Sequence, residues 1–179
     1  MEQYTGKSIY KSVAIGPVYF YSRGEQQVKR CKAEDSQAQL ERYETARDRA
    51  VEELQQLYQK ALKEVGEVNA AIFEVHAMML EDEDYNDSVK NIIFSQQVNA
   101  EYAVAVTGDN FAQMFAEMDD EYFKARAADV KDISERVVGI LSNKRAGSSI
   151  GREPVIVIAK DLAPSAVSYT HLRAHETLS

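Results

Sequence analysis

The chain has 179 residues, 45% hydrophobic and 28% charged, and carries a net charge of −8 at neutral pH. That length holds one domain, or one domain with an insertion, and that balance is a globular chain's rather than a disordered one's. The acidic excess excludes a nucleic-acid binder, which needs a basic face; no apolar run reaches the roughly 18 residues of a membrane helix; and a single cysteine, Cys31, excludes an internal disulfide and fits a reducing cytoplasm.

The amino-terminal stretch has no basic start followed by an apolar core, so no secretory signal is predicted. Residues 8–15, with Ile9, Val13 and Ile15, and residues 18–21, Val-Tyr-Phe-Tyr, read as two short strands about the Gly16-Pro17 turn. Cys31 stands among Lys29, Arg30 and Lys32, cations that lower a thiol pKa. No catalytic partner accompanies it, and the cysteine reads as incidental.

A long helix is predicted over residues 33–65. Leu40, Tyr43, Arg47, Ala50, Leu54, Leu57, Ala61 and Val65 recur every three or four residues and form one stripe, with the Arg47 stem lying along apolar surface. Gly66 breaks the run. A second helix fits 69–80, burying Ala70, Phe73, Ala77 and Leu80. The charge knot Glu81-Asp82-Glu83-Asp84 suits a bend and the positive start of the next helix, 84–96, with Val89, Ile92, Ile93 and Phe94. A fourth pattern runs over 99–118 through Tyr102, Val106, Phe111, Met114 and Phe115, with Gly108 as its weak point. Asp119 or Asp120 caps a last helix over 121–141, whose apolar face is Phe123, Ala127, Val130, Ile133, Val137, Ile140 and Leu141. After a Gly/Ser/Lys/Arg loop, residues 154–159, Pro-Val-Ile-Val-Ile-Ala, read as a fully buried strand. Strands flanking a helical run predict an α/β unit with an inserted antiparallel helical bundle, predominantly helical overall.

Charge is uneven along this plan. Between residues 64 and 121 there are fourteen acidic side chains and one basic, Lys90. A field that one-sided favours a basic partner and speeds encounter, or is a solvated face kept for solubility.

Two stretches carry more than pattern. Residues 71–83, Ala-Ile-Phe-Glu-Val-His-Ala-Met-Met-Leu-Glu-Asp-Glu, and residues 118–133, Met-Asp-Asp-Glu-Tyr-Phe-Lys-Ala-Arg-Ala-Ala-Asp-Val-Lys-Asp-Ile, resemble the N-terminal domain of the Enzyme I family, phosphoenolpyruvate–protein phosphotransferase. The family's patterns run A-I-F-x-x-H-x-x-x-L-x-D and D-x-Y-x-x-E-R-A-A-D-x-x-D-I; Ala125 stands where the family usually has Glu. The Val-Ala-Ile-Gly at 13–16 and the segment 155–165, ending Asp-Leu-Ala-Pro-Ser, fit the same family in the same order. The resemblance spans residues 8–165, and four matches at compatible spacing are far more specific than one short motif.

The resemblance implies an enzyme, a transferase that takes a phosphoryl group from phosphoenolpyruvate onto a histidine with Mg2+ and passes it to the small phosphocarrier HPr in sugar uptake. It implies an incomplete α/β phosphohistidine subdomain at 1–32 and 143–166, a helical HPr-binding subdomain at 33–142, and a homodimer made by a C-terminal domain absent here. The Mg2+ site would lie outside this sequence, leaving no cofactor in it, and the protein would be cytoplasmic. The family's G-G-x-x-S-H motif, which holds the phosphorylated histidine, does not occur. His171 and His175 follow no glycine pair, and residues 168–177 resemble a translated sequencing-adapter read-through, so 167–179 is set aside as a probable non-native tail. The expectation is a product that docks HPr and has no phosphotransferase activity, with no catalytic and no metal-binding residue.

The implied HPr contacts are Glu67, Ala71, Glu74, Met78 and Asp82, which spacing places on one helix face, then Glu83 and Asp84, and Arg126. A flexible methionine edged by acids suits a partner with an apolar patch ringed by Lys and Arg. Arg126 read alone would pair internally with Asp129 or Asp120. Asp129 and Asp132 read as salt bridges inside the bundle. His76, with Phe73 where an acid would be needed for a carboxylate metal centre, reads as a structural or interface histidine rather than a phosphoryl acceptor or metal ligand. Two other readings stand beside this one: a non-enzymatic acidic adaptor for another basic protein, and a nitrogen-branch paralogue.

Overall fold

Capping side chains set where the helices begin. Asp35 accepts a hydrogen bond from the Ala38 N–H at 3.0 Å, Asp82 from Tyr85 N–H at 3.0 Å, and Asp120 from Tyr122 N–H at 2.8 Å; each satisfies an amide with no partner inside its own helix. In the computed structural model, which describes residues 15–21, 28–143 and 155–159, the order is β1 (Val18–Tyr21), α1 (Ser36–Glu64), α2 (Glu67–Glu81), α3 (Glu83–Gln96), α4 (Ala100–Glu117), α5 (Glu121–Leu141) and β2 (Ile156–Ala159). The strand expected over residues 8–15 lies outside the described residues except for Ile15, as do the loop 144–154 and the tail.

The first helix starts three residues later than its apolar pattern suggests. Ala33 is held instead by the turn between α3 and α4: its N–H donates to the Gln97 carbonyl at 2.8 Å, and Lys32 bridges Val98 antiparallel. Gly66 separates α1 from α2 at φ +84°, a backbone conformation that costs a residue with a Cβ but not glycine.

The core lies between the helices. Leu54, Leu80, Val89, Ile93, Val104, Ile133 and Val137 are fully or almost fully buried, each contributing about 1.5–3 kcal/mol by leaving water. Arg47 does more than lie along the surface. Its Nη1 and the Tyr43 hydroxyl both donate to Asn86 Oδ1, at 3.1 and 2.7 Å. The Asn86 amide in turn donates to the Leu80 and Asp82 carbonyls, at 2.9 and 2.6 Å, and so fixes the bend between α2 and α3. Arg136 of α5, almost fully buried, meets Glu53 of α1 at 3.1 Å.

Sequence readings also change at α4 and at the second strand. The fully buried face of α4 is Ala100, Ala103, Val104, Thr107, Gly108 and Ala112; of the larger residues expected, Tyr102, Phe111 and Phe115 pack half-buried against the core and Met114 is exposed. Small residues win because α5 comes so close: a Cβ added to Gly108 would stand 2.3 Å from Ser134 Oγ. Gly108 is therefore the crossing point of two helices rather than a weak point in one. The strand over 156–159 is not fully buried. Ile158 is 46% exposed, because among the described residues only β1 pairs with it, in parallel, Val18 against Ile156 through Tyr21 against Ala159. A parallel pair needs a long crossover, and here the helices themselves connect the two strands. No helix among the described residues is long and apolar enough to cross a membrane.

Candidate functional site

Helix α2 has two unlike sides. Ala70, Phe73, His76, Ala77 and Leu80 face the core. Glu67 and Glu74 are exposed on the other side, Ala71 is half-buried between them, and Met78 is 64% exposed. The spacing of four, three and four residues puts these four on one face, as the sequence implies. The face continues across the bend that Asn86 fixes. Asp82 caps α3, and Glu83 and Asp84 occupy its first turn, all exposed. Among the described residues no ion pair neutralises Glu67, Glu74, Glu83 or Asp84, so their field reaches solvent. Asp82 is different: one oxygen is engaged by the Tyr85 amide. It already serves the fold, which leaves a smaller share of it for any partner.

Arg126 stands in α5, mostly covered. Its Nη1 meets Asp129 Oδ2 at 2.8 Å, its Nη2 donates to the Tyr122 hydroxyl at 3.3 Å, and its guanidinium lies 4.8 Å from the Tyr122 ring centre. The hydrogen bond to Asp129 raises the guanidinium's pKa above its ordinary value. Of the two internal partners the sequence allowed, Asp129 is the one formed; Asp120 caps the helix instead. Burial pushes the Asp129 carboxyl up, but His76 and Arg126 together outweigh it and hold the pKa below the usual carboxylate value.

His76 is fully buried against α5, with Nε2 3.2 Å from Asp129 Oδ1 and Nδ1 3.7 Å from Asp132 Oδ2. At 3.7 Å the Asp132 contact is too long for a hydrogen bond, which leaves Asp129 as the nearer carboxylate to the ring. The placement puts His76 inside the bundle, where no partner can touch it directly. A phosphoryl donor cannot reach a side chain with no exposed surface. Among the described residues no group of three or more His, Cys, Asp or Glu side chains is arranged to hold a metal ion.

Sequence reasoning missed the aromatic side of this region. Rings follow one another from Tyr85 to Phe111 (5.6 Å), Phe115 (6.5 Å), Phe123 (6.0 Å) and Tyr122 (5.6 Å), ending under Arg126. Phe123, read as core, is 40% exposed and Tyr122 is 59% exposed. The signal was in the spacing: Tyr122 and Phe123 lie four and three residues before Arg126, on its side of the helix. The start of α5 thus offers apolar surface beside a held cation.

Residues 5–126 match the family profile described as PEP-utilising enzyme, N-terminal. The chain is similar to the phosphoenolpyruvate-protein phosphotransferases of Bacillus subtilis (strain 168), 37% identical over 166 residues, and Geobacillus stearothermophilus, 37% identical over 161 residues. These alignments cover 92% and 89% of the chain but only 29% and 28% of the relatives; the chain spans less than a third of the length of the proteins it matches. A solution structure of an Enzyme I protein (nEIt) superposes with a TM-score of 0.71 at 32% identity, covering 87% of this chain and 64% of that one. The N-terminal domain of a nitrogen-branch Enzyme I superposes at 0.69 with 23% identity, covering 89% of this chain and 66% of that one, a likeness of fold alone.

Proposed function

The chain belongs to the phosphoenolpyruvate-utilising enzymes, as the N-terminal part of a phosphoenolpyruvate-protein phosphotransferase, and from this we propose that its helical bundle is the docking module for the phosphocarrier HPr. The observation that carries the proposal is the outer face of α2. Exposed Glu67, Glu74 and Met78 run on into the acidic first turn of α3, and Arg126 is tied to the buried side of the same helix through Asp129. Such a face suits a small basic protein with an apolar patch: charge steers the encounter, and Met78 adapts to the contact.

Docking is the chemistry this sequence supports. A phosphoryl relay needs donor, metal and acceptor brought together. The one described histidine is buried, and among the described residues no group of three or more His, Cys, Asp or Glu side chains is arranged to hold a metal ion. In the proposed division of labour, phosphoenolpyruvate, Mg2+, the acceptor histidine and the dimer contacts lie in other parts of the longer enzyme, which works in the cytoplasm.

Titration of the chain with HPr tests this. The reading expects saturable binding that weakens steeply with salt, since exposed charges are screened over about 8–10 Å at 0.1–0.15 M. Absence of binding at low salt overturns it in favour of an adaptor for some other basic protein. Incubation with labelled phosphoenolpyruvate and Mg2+ should leave the chain unlabelled.

A further inference from the structure

We propose that His76 and Asp129 are positioning residues of the docking surface, which hold the Arg126 guanidinium in register with the acidic face of α2. The inference rests on the docking reading and adds to it a buried device that sets the geometry.

Asp129 divides its carboxylate between two helices. Oδ1 stands 3.2 Å from His76 Nε2 on α2, and Oδ2 2.8 Å from Arg126 Nη1 on α5. One oxygen faces a side chain with no exposure at all; the other holds a cation at the surface. Asp132, also of α5, faces the other ring nitrogen at 3.7 Å. An imidazole between two carboxylates is an expensive way to fill a helix interface that Leu or Phe would fill as well. What the polar arrangement adds over an apolar one is direction. A rotation or slide of α2 along α5 would pull Asp129 off His76 and shift the carboxylate to which Arg126 is bound. The exposed face of α2 and the cation of α5 therefore move as one unit.

Arg126 gains from being held. A free arginine must be ordered when a partner docks; this one is fixed beforehand by Asp129, the Tyr122 hydroxyl and the Tyr122 ring. Only two of its five N–H donors are used by these bonds, so others remain for carbonyl or carboxylate oxygens of the carrier.

The test is the affinity of the full chain for HPr in four forms: wild type, Asp129→Asn, Arg126→Ala and the double variant. If Asp129 acts through Arg126, each single change weakens binding about tenfold, and the double variant is no weaker than Arg126→Ala within about twofold. A structural residue would lower the melting temperature without this coupling. The inference is overturned if Asp129→Asn binds as wild type, or if the two losses multiply. A wild-type chain that ignores HPr removes the docking premise and this inference with it, so the two failures differ. Should Asp129→Asn not fold, nitrogen-15 histidine spectra of the wild-type chain decide. Saturating HPr moves the ring resonances of buried His76 if the three residues form one line; unmoved resonances overturn the proposal.

Discussion

Gly108→Ala should destabilise the chain even though alanine is the better helix former. Alone, the change favours α4 by about 0.8–1 kcal/mol. The new methyl carbon, however, would stand 2.3 Å from Ser134 Oγ and 2.6 Å from Ser134 Cβ. Rotating the hydroxyl away does not remove the second contact, so α4 and α5 must separate. Ser134 also sits in a buried set of bonds: its hydroxyl donates to the Val130 carbonyl at 2.8 Å and lies 2.7 Å from the Tyr85 hydroxyl. Overpacking costs about 1–3 kcal/mol and a disturbed buried hydrogen bond about 0.5–1.5 kcal/mol. Against the propensity gain, a net loss of about 1–3 kcal/mol remains. For a chain of this size each kcal/mol lowers the melting temperature by about 2–4 °C, so thermal unfolding followed by circular dichroism should shift down by several degrees. Adding Ser134→Gly makes room for the methyl carbon and should recover part of the loss. A melting temperature for Gly108→Ala equal to or above wild type would refute the close-crossing argument.

Gly66→Ala should cost about 1 kcal/mol, read by urea unfolding, because φ +84° disfavours any Cβ while nothing lies within 4 Å to clash with it. Stability should also fall on the acid side. The folded pKa of Asp129 is held below its ordinary value of 3.8 and that of Glu101 below 4.5, in each case against burial, which raises it. A depressed carboxylate contributes stability fully above its unfolded pKa and loses it as pH falls through the folded value. Unfolding midpoints should therefore drop below about pH 4.5, and Asp129→Asn should flatten that limb. An unchanged limb in the variant would contradict the assignment.

Much of this fold is legible in the sequence, and the failures have physical causes. The last helix is read to its ends because Asp120 caps it and the apolar period is unbroken. The stripe of α1, apart from Val65, which is exposed beyond the helix end, and the buried face of α2 follow from apolar residues three and four apart. The reading is incomplete on α4, where the fully buried face is small residues, Tyr102, Phe111 and Phe115 pack half-buried at the core's edge, and Met114 is exposed. Periodicity weighs side-chain size, whereas a close helix crossing selects for its lack, and Gly108 reports that only once Ser134 is seen opposite. Phe123 is misassigned for the converse reason: it continues the apolar period of α5 past the point where the neighbouring helices cover it. The acidic face of α2 is fully legible, since exposure follows from the period. The line from His76 through Asp129 to Arg126 is not, since it joins residues 76 and 129 across two helices and no local spacing announces it.

If the outer face of α2 receives a basic carrier, a Glu74→Lys, Met78→Ala variant should lose HPr affinity. Both side chains are exposed and outside the core, so the fold should survive. Binding should weaken at least about tenfold at low salt, with a shallower salt dependence. Affinity and salt dependence equal to wild type would contradict it.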